Sequence, residues 1–150
     1  MTRILTVLFT IAAFESASLG AGKKLALKDL PTAVQKTVQD QIKGDEIKSI
    51  SKETENGVEQ YEVETMRNGK HRDLNVDTKG DLLVVEEETS MDSIPPAARA
   101  AIQKKAADGK LAMVELFIRC NETMYEAAYT SKDSRKHEVL VRADGTETKE

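Results

Sequence analysis

The chain predicts an α+β protein: two tandem modules, each one helix packed on a three- to four-stranded antiparallel sheet. Three observations lead there. A set of residues recurs 64 positions later in the same order. Each copy opens on an apolar stripe of helical spacing. Each then passes into alternating segments punctuated by turn residues.

The repeat is the strongest of the three. Leu30-Pro31-Thr32-Ala33-Val34 is echoed by Ile94-Pro95-Pro96-Ala97-Ala98. The same offset carries Ile47 onto Leu111, Ile50 onto Val114, and Tyr61-Glu62 onto Tyr125-Glu126. One residue is gained in a turn, after which Leu74 and Val76 match Val139 and Val141, and Lys79-Gly80 matches Asp144-Gly145. A helix start, a strand and a turn repeated in one order point to a duplicated unit, with modules over 21–88 and 89–150.

Leu30, Val34, Val38 and Ile42 recur every four residues and form one stripe of an amphipathic helix. Pro31 suits the first turn, where a missing N–H costs nothing, and Gly44 ends the pattern. The second stripe is Ile94, Ala98, Ala101, Ile102 and Ala106, opened by Pro95-Pro96 and closed by Gly109. Tyr61, Val63 and Thr65 then alternate with Gln60, Glu62 and Glu64, a strand with one wet face. Asn56-Gly57 and Asn68-Gly69 flank it as hairpin turns. Arg72 to Asp77 and Asp81 to Glu87 are the next strands of the first copy. Leu111 to Arg119, Met124 to Thr130 and Lys136 to Arg142 are strands of the second, with room for a short fourth. A module of about 60 residues buries too little surface to be secure alone. The two, joined through Glu88 to Ser93, are expected to meet either edge to edge or as docked halves.

The N-terminus reads separately. Arg3 precedes an apolar run from Ile4 to Phe14, and Ser16, Ala17, Ser18, Gly20 and Ala21 follow. That order is a secretory signal peptide over 1–20, with cleavage after Gly20 or, second, after Ala21. The run is too short to span a bilayer, so stable membrane insertion is not expected. The net charge of −4 argues against nucleic acid, which demands clustered Lys and Arg.

The Leu-Pro-Thr-Ala-Val start at 30–34, the strand Gly57-Val58-Glu59-Gln60-Tyr61-Glu62-Val63 and the turn Asp77-Thr78-Lys79-Gly80 resemble the PepSY-like family. Ile94-Pro95, Tyr125-Glu126 and Asp144-Gly145 keep the pattern in the second copy, whereas Cys120-Asn121 replaces Asn56-Gly57. The resemblance implies a fold similar to a β-lactamase inhibitor protein. It also implies a binding role, such as inhibition or regulation of a secreted enzyme, with related modules in the propeptides of thermolysin-type peptidases. It carries over no catalytic residues.

No enzymatic constellation emerges. His137-Glu138 lacks the second His a zinc-peptidase motif needs, because Val141 takes its place. No Gly-x-Ser-x-Gly elbow or phosphate-binding glycine loop is present. His71 and His137, with Asp73 and Glu138, would meet around a metal only if the modules folded face to face. Solvated hairpin histidines are the preferred reading, so no metal or other cofactor is assigned. Glu86-Glu87-Glu88 is able to attract a cation or a basic partner but reads first as a solvated run. Asn121-Glu122-Thr123 matches a glycosylation acceptor.

The contrast between the copies is more informative. Met113, Glu115 and Phe117 take outward positions whose counterparts are Ser49, Ser51 and Glu53. Met124, Glu126 and Ala128 stand against Gln60, Glu62 and Glu64. An exposed apolar patch of Met113, Phe117, Met124, Glu126 and Ala128 is therefore expected to contact a protein partner or to seal the junction between modules. Cys120 either continues the inward row Val114, Leu116, Ile118 or sits exposed at a hairpin tip, where an odd thiol in an oxidising compartment links two molecules. The expected function is a secreted or periplasmic non-catalytic binding protein, acting on an extracytoplasmic enzyme such as a peptidase. The alternative is an envelope sensor or carrier that binds a small ligand or metal.

Overall fold

The computed structural model describes residues 25–149. The signal peptide and its cleavage site lie outside the described residues. A 3-10 turn, Leu27–Asp29, leads into helix α1, Thr32–Ile42. Strands β1 (Glu46–Glu55), β2 (Val58–Arg67), β3 (Lys70–Asp77) and β4 (Leu82–Glu88) follow. A second 3-10 turn, Met91–Ser93, leads into α2, Pro96–Lys105, and then β5 (Lys110–Arg119), β6 (Glu122–Thr130), β7 (Lys136–Val141) and β8 (Glu147–Thr148).

The expected architecture is corrected here. The strands do not form two sheets, each under its own helix. They form one eight-stranded antiparallel sheet in the order β1 to β8. The join is the β4–β5 ladder, which pairs Val84 with Arg119, Val85 with Ile118 and Glu88 with Glu115. Thr89 N–H extends it by donating to the Val114 carbonyl at 2.8 Å. The physical reason is the composition of the two joining strands. β4 buries both Val84 and Val85, and β5 buries Val114, Glu115 and Phe117, so neither strand has a wet face to leave at an edge.

Both helices lie on one face of this sheet. Val34 and Val38 of α1 pack on Ile50, Val63, Leu74, Val76 and Val85. Ala98 and Ile102 of α2 pack on Val114, Ala127, Val139 and Val141. Ile118 touches the first cluster and shares its side of β5 with Val114, which fixes the two cores to the same side.

The turns carry their expected chemistry. Asn56 and Asn68 take left-handed conformations beside Gly57 and Gly69, as two-residue hairpin turns require. Cys120 and Asn121, at φ +50° and +62°, make the same turn without glycine. Gly80 and Gly145 close the β3–β4 and β7–β8 turns against the helices. A Cβ on Gly80 would sit 2.8 Å from the Ala33 backbone, and one on Gly145 would sit 2.7 Å from the Ala97 carbonyl. Thr37 Oγ1 donates to the Gly80 carbonyl at 2.6 Å, tying that turn to α1.

Candidate functional site

With both helices on one side, the other face of the sheet carries no helix among the described residues. Strand alternation places Glu64, Asp73, Glu86, Phe117 and Met124 in one cross-strand row of that face. The next row runs Glu88, Glu115, Glu126 and Leu140. Carboxylates therefore oppose carboxylates directly at Glu64–Asp73, Asp73–Glu86, Glu88–Glu115 and Glu115–Glu126. Each opposed like-charge pair costs about 0.2–1 kcal/mol. Folding alone gives no reason to concentrate such pairs in the middle of a sheet, where burial strengthens the repulsion.

Beside the acidic rows lies an apolar floor of Val84, Phe117, Met124 and Leu140. The expected site residues fall here, with one correction. Phe117 and Met124 do point away from the helices, but they are buried, at 1% and 4% exposed. Phe117 is flanked by both neighbouring strands, and the Arg119 guanidinium covers its ring at 5.0 Å from the centroid. An isolated outward position would be wet; one ringed by large outward neighbours is not. Glu126 is buried as well. Met113 and Ala128 are half-buried and directly paired. The surface reachable by another molecule is thus the rim around this floor.

The charge balance of the face is unusual. Asp73, Glu86 and Glu115 bring one carboxylate oxygen each to within 4.8 Å of one another. Burial, then the neighbouring charge of Asp73, pushes the Glu115 carboxyl up to about 7, with Glu88 and Glu138 adding to the effect and His71 opposing it. Burial also raises Asp73, against a 3.2 Å hydrogen bond from Thr65 N–H and with Glu64 adding to the rise. Glu88 accepts from His71 N–H at 3.0 Å. The Glu86-Glu87-Glu88 run is not a uniformly solvated segment. Glu87 turns to the helix side and accepts from Arg72 Nε at 2.8 Å, while Glu86 and Glu88 lie on the acidic face. Sequence reasoning missed this convergence because it needs the β4–β5 join.

Glu62, also on this face, titrates for the same reason. Burial raises it to about 7, with Glu53 of β1, Glu64 of its own strand and Asp73 of β3 adding and a hydrogen bond from Ser51 opposing. Its folded value lies above the ordinary 4.5, so the folded protein keeps a proton that the unfolded chain releases. Stability is therefore fully present below about pH 4.5 and falls as pH rises through about 7. Glu62→Gln is expected to flatten this decline by on the order of 1–2 kcal/mol, a figure reduced for the solvent that reaches the half-buried carboxyl. Urea denaturation between pH 5 and 8 reads the effect; equal slopes in both proteins would refute it.

The histidines do not meet. β3 and β7 are four positions apart in the sheet, about 19 Å at the usual strand spacing. His137 instead stacks on Tyr129 and lies with Nε2 2.9 Å from Ser131 Oγ. His137-Glu138 sits in strand β7, and Val141 is core. Asn121, Glu122 and Thr123 are exposed at the β5–β6 turn. Cys120 is exposed at the same tip, not a continuation of the buried row. A maleimide reagent is expected to label it in the native protein at the rate seen after unfolding, and non-reducing gels should show a dimer that Cys120→Ser abolishes. Protection until unfolding would contradict the exposed placement.

No family model matches the chain, and no curated protein does. Several solved structures share its fold. A DUF2874 family protein from Bacteroides uniformis superimposes with a TM-score of 0.63 at 15% identity, over 79% of this chain and 86% of that one. A protein from Bacteroides eggerthii described as a candidate periplasmic protein gives 0.64 at 14%, over 80% and 86%. A BLIP-like protein from Bacteroides fragilis, that is, one resembling β-lactamase inhibitor protein, gives 0.57 at 18%, over 80% and 84%. At these identities the likeness is one of fold. No helix among the described residues is long and apolar enough to cross a membrane.

Proposed function

We propose that the chain is a secreted or periplasmic, non-catalytic binding protein whose working surface is the helix-free face of the sheet. It would act on a protein partner, as an inhibitor or regulator of an extracytoplasmic enzyme such as a peptidase. One observation carries this reading: the face concentrates directly opposed carboxylates around an apolar floor, at a cost to folding that function must offset. The BLIP-like and periplasmic fold neighbours support it. So does the PepSY-like pattern, read as two sequence copies, 21–88 and 89–150, sharing one sheet. The recurrence of helix followed by antiparallel strands in both halves supports that duplication. The acidic rows fit a partner that presents Lys or Arg side chains.

The test is capture from an extracytoplasmic fraction with the mature chain from Ala21 as bait. Glu64→Lys combined with Glu138→Lys reverses charge on the face and should weaken capture by at least about tenfold, more so at low salt. Asp40→Lys, on the exposed side of α1, should leave it unchanged. Capture that responds to Asp40→Lys and not to the face would end this reading. The alternative, an envelope sensor or carrier for a small ligand or metal, has the Asp73–Glu86–Glu115 convergence in its favour.

A further inference from the structure

We propose that Asp73, Glu86 and Glu115 form a binding site for a divalent cation of calcium size, built across the β3–β4–β5 join. The proposal does not depend on the partner-binding role. Three strands supply one ligand each. Asp73 stands directly opposite Glu86 in the β3–β4 ladder. Glu115 stands opposite Glu88 in the β4–β5 ladder, one step along the same face from Glu86. Their oxygens lie within 4.8 Å of one another.

That spacing suits one ion. Calcium binds oxygen at about 2.3–2.6 Å, so any two of its ligands are at most about 4.6–5.2 Å apart. Magnesium binds at about 2.0–2.1 Å, demands near-octahedral order and gives up its waters reluctantly, which three carboxylates on a sheet face serve less well. An all-carboxylate donor set is hard and favours calcium, magnesium or manganese over zinc and copper, which prefer imidazole and thiolate.

The second observation is Glu115 itself. It is only 6% exposed, and its Oε1 is sealed from solvent with no hydrogen-bond partner. A buried carboxylate oxygen without a donor is costly. Here it belongs to a group whose nearest acidic neighbours are Asp73 and Glu86, and the charge of His71 opposes their repulsion only in part. A divalent ion would satisfy the oxygen and convert the mutual repulsion of three carboxylates into attraction. Glu88 and Glu126 flank Glu115 on either side and border the site. The sheet thereby gains a clamp across the β4–β5 ladder that joins its halves.

The experiment uses the mature chain freed of metal with a chelator, then titrated with calcium chloride at neutral pH by calorimetry, with melting curves in parallel. One-to-one binding is expected, with Kd on the order of 10⁻⁵–10⁻³ M, and a melting temperature that rises with calcium. Magnesium chloride should bind at least about tenfold more weakly. Glu115→Gln should bind calcium at least about tenfold more weakly, while its metal-free melting temperature equals or exceeds that of the parent, since a like charge has been removed. That second readout separates lost binding from lost folding. Glu53→Gln, on the same face but remote from the cluster, should bind as the parent does. Absence of saturable binding at about 10 mM calcium overturns the proposal, because even weak extracellular calcium modules are filled there. Equal binding by Glu115→Gln and the parent overturns it too.

Discussion

Phe117→Ala is expected to lower stability by about 3–5 kcal/mol, the usual cost of emptying a buried aromatic site. Phe117→Glu should cost more, because it also places a carboxylate at a buried position directly opposite Glu86. The residue lies on the helix-free face, where a single sheet surface would ordinarily be wet. Its ring is instead enclosed by Val84, Met124 and Leu140 and capped by Arg119. Arg119→Ala should therefore lower stability as well, by about 1 kcal/mol, through loss of packing and of the cation–ring contact. Urea denaturation of the single variants reads both effects. A change below about 0.5 kcal/mol for Phe117→Ala would place the ring at the surface and remove the apolar floor from the site.

The Phe117 case shows what was legible in the sequence. Alternation gave the direction of the side chain correctly, because period two is fixed by strand geometry. It did not give burial, which depends on what the neighbouring strands present at the same height. Helix starts at Pro31 and Pro95, and turns at Asn56-Gly57 and Asn68-Gly69, were legible for a different reason. They are set by local backbone preference and need no partner. The joining of the halves was not local, since it pairs Glu88 with Glu115 across a helix. One signal did point to it. Leu82-Leu83-Val84-Val85 and Val114 to Ile118 are nearly continuous in apolar character, with Glu115 the sole break, as central strands are. β1, by contrast, carries Lys48, Lys52 and several carboxylates, as suits an edge. The acidic convergence inherits this difficulty: Asp73, Glu86 and Glu115 are unremarkable one at a time and meet only once the join is known.

Arg72→Ala is expected to cost about 3 kcal/mol or more, and its coupling to Asp45 should be measurable. Arg72 is 5% exposed, on the helix-bearing side of β3. Its Nε donates to Glu87 at 2.8 Å, Nη1 to Asp45 at 3.4 Å and Nη2 to the Gln41 side chain at 3.4 Å. Arg67 donates from Nε to Asp45 at 2.7 Å and from Nη2 to the Gln41 carbonyl at 3.1 Å. Together these tie the C-terminal end of α1 to β2, β3 and β4. Removing one partner of a buried ion pair leaves the other charge unpaired, which typically costs about 3–5 kcal/mol. Here Arg67, half-buried, still reaches Asp45, so the lower end of that range applies. Arg72→Met, which keeps the packing without the charge, should also be destabilising, because Asp45 and Glu87 lose a shared donor. A double-mutant cycle with Asp45→Ala isolates the pair, and a coupling of about 1–3 kcal/mol is expected for groups in one network. Full additivity of the two variants would show that the Arg72–Asp45 pair contributes nothing to holding α1 on the sheet.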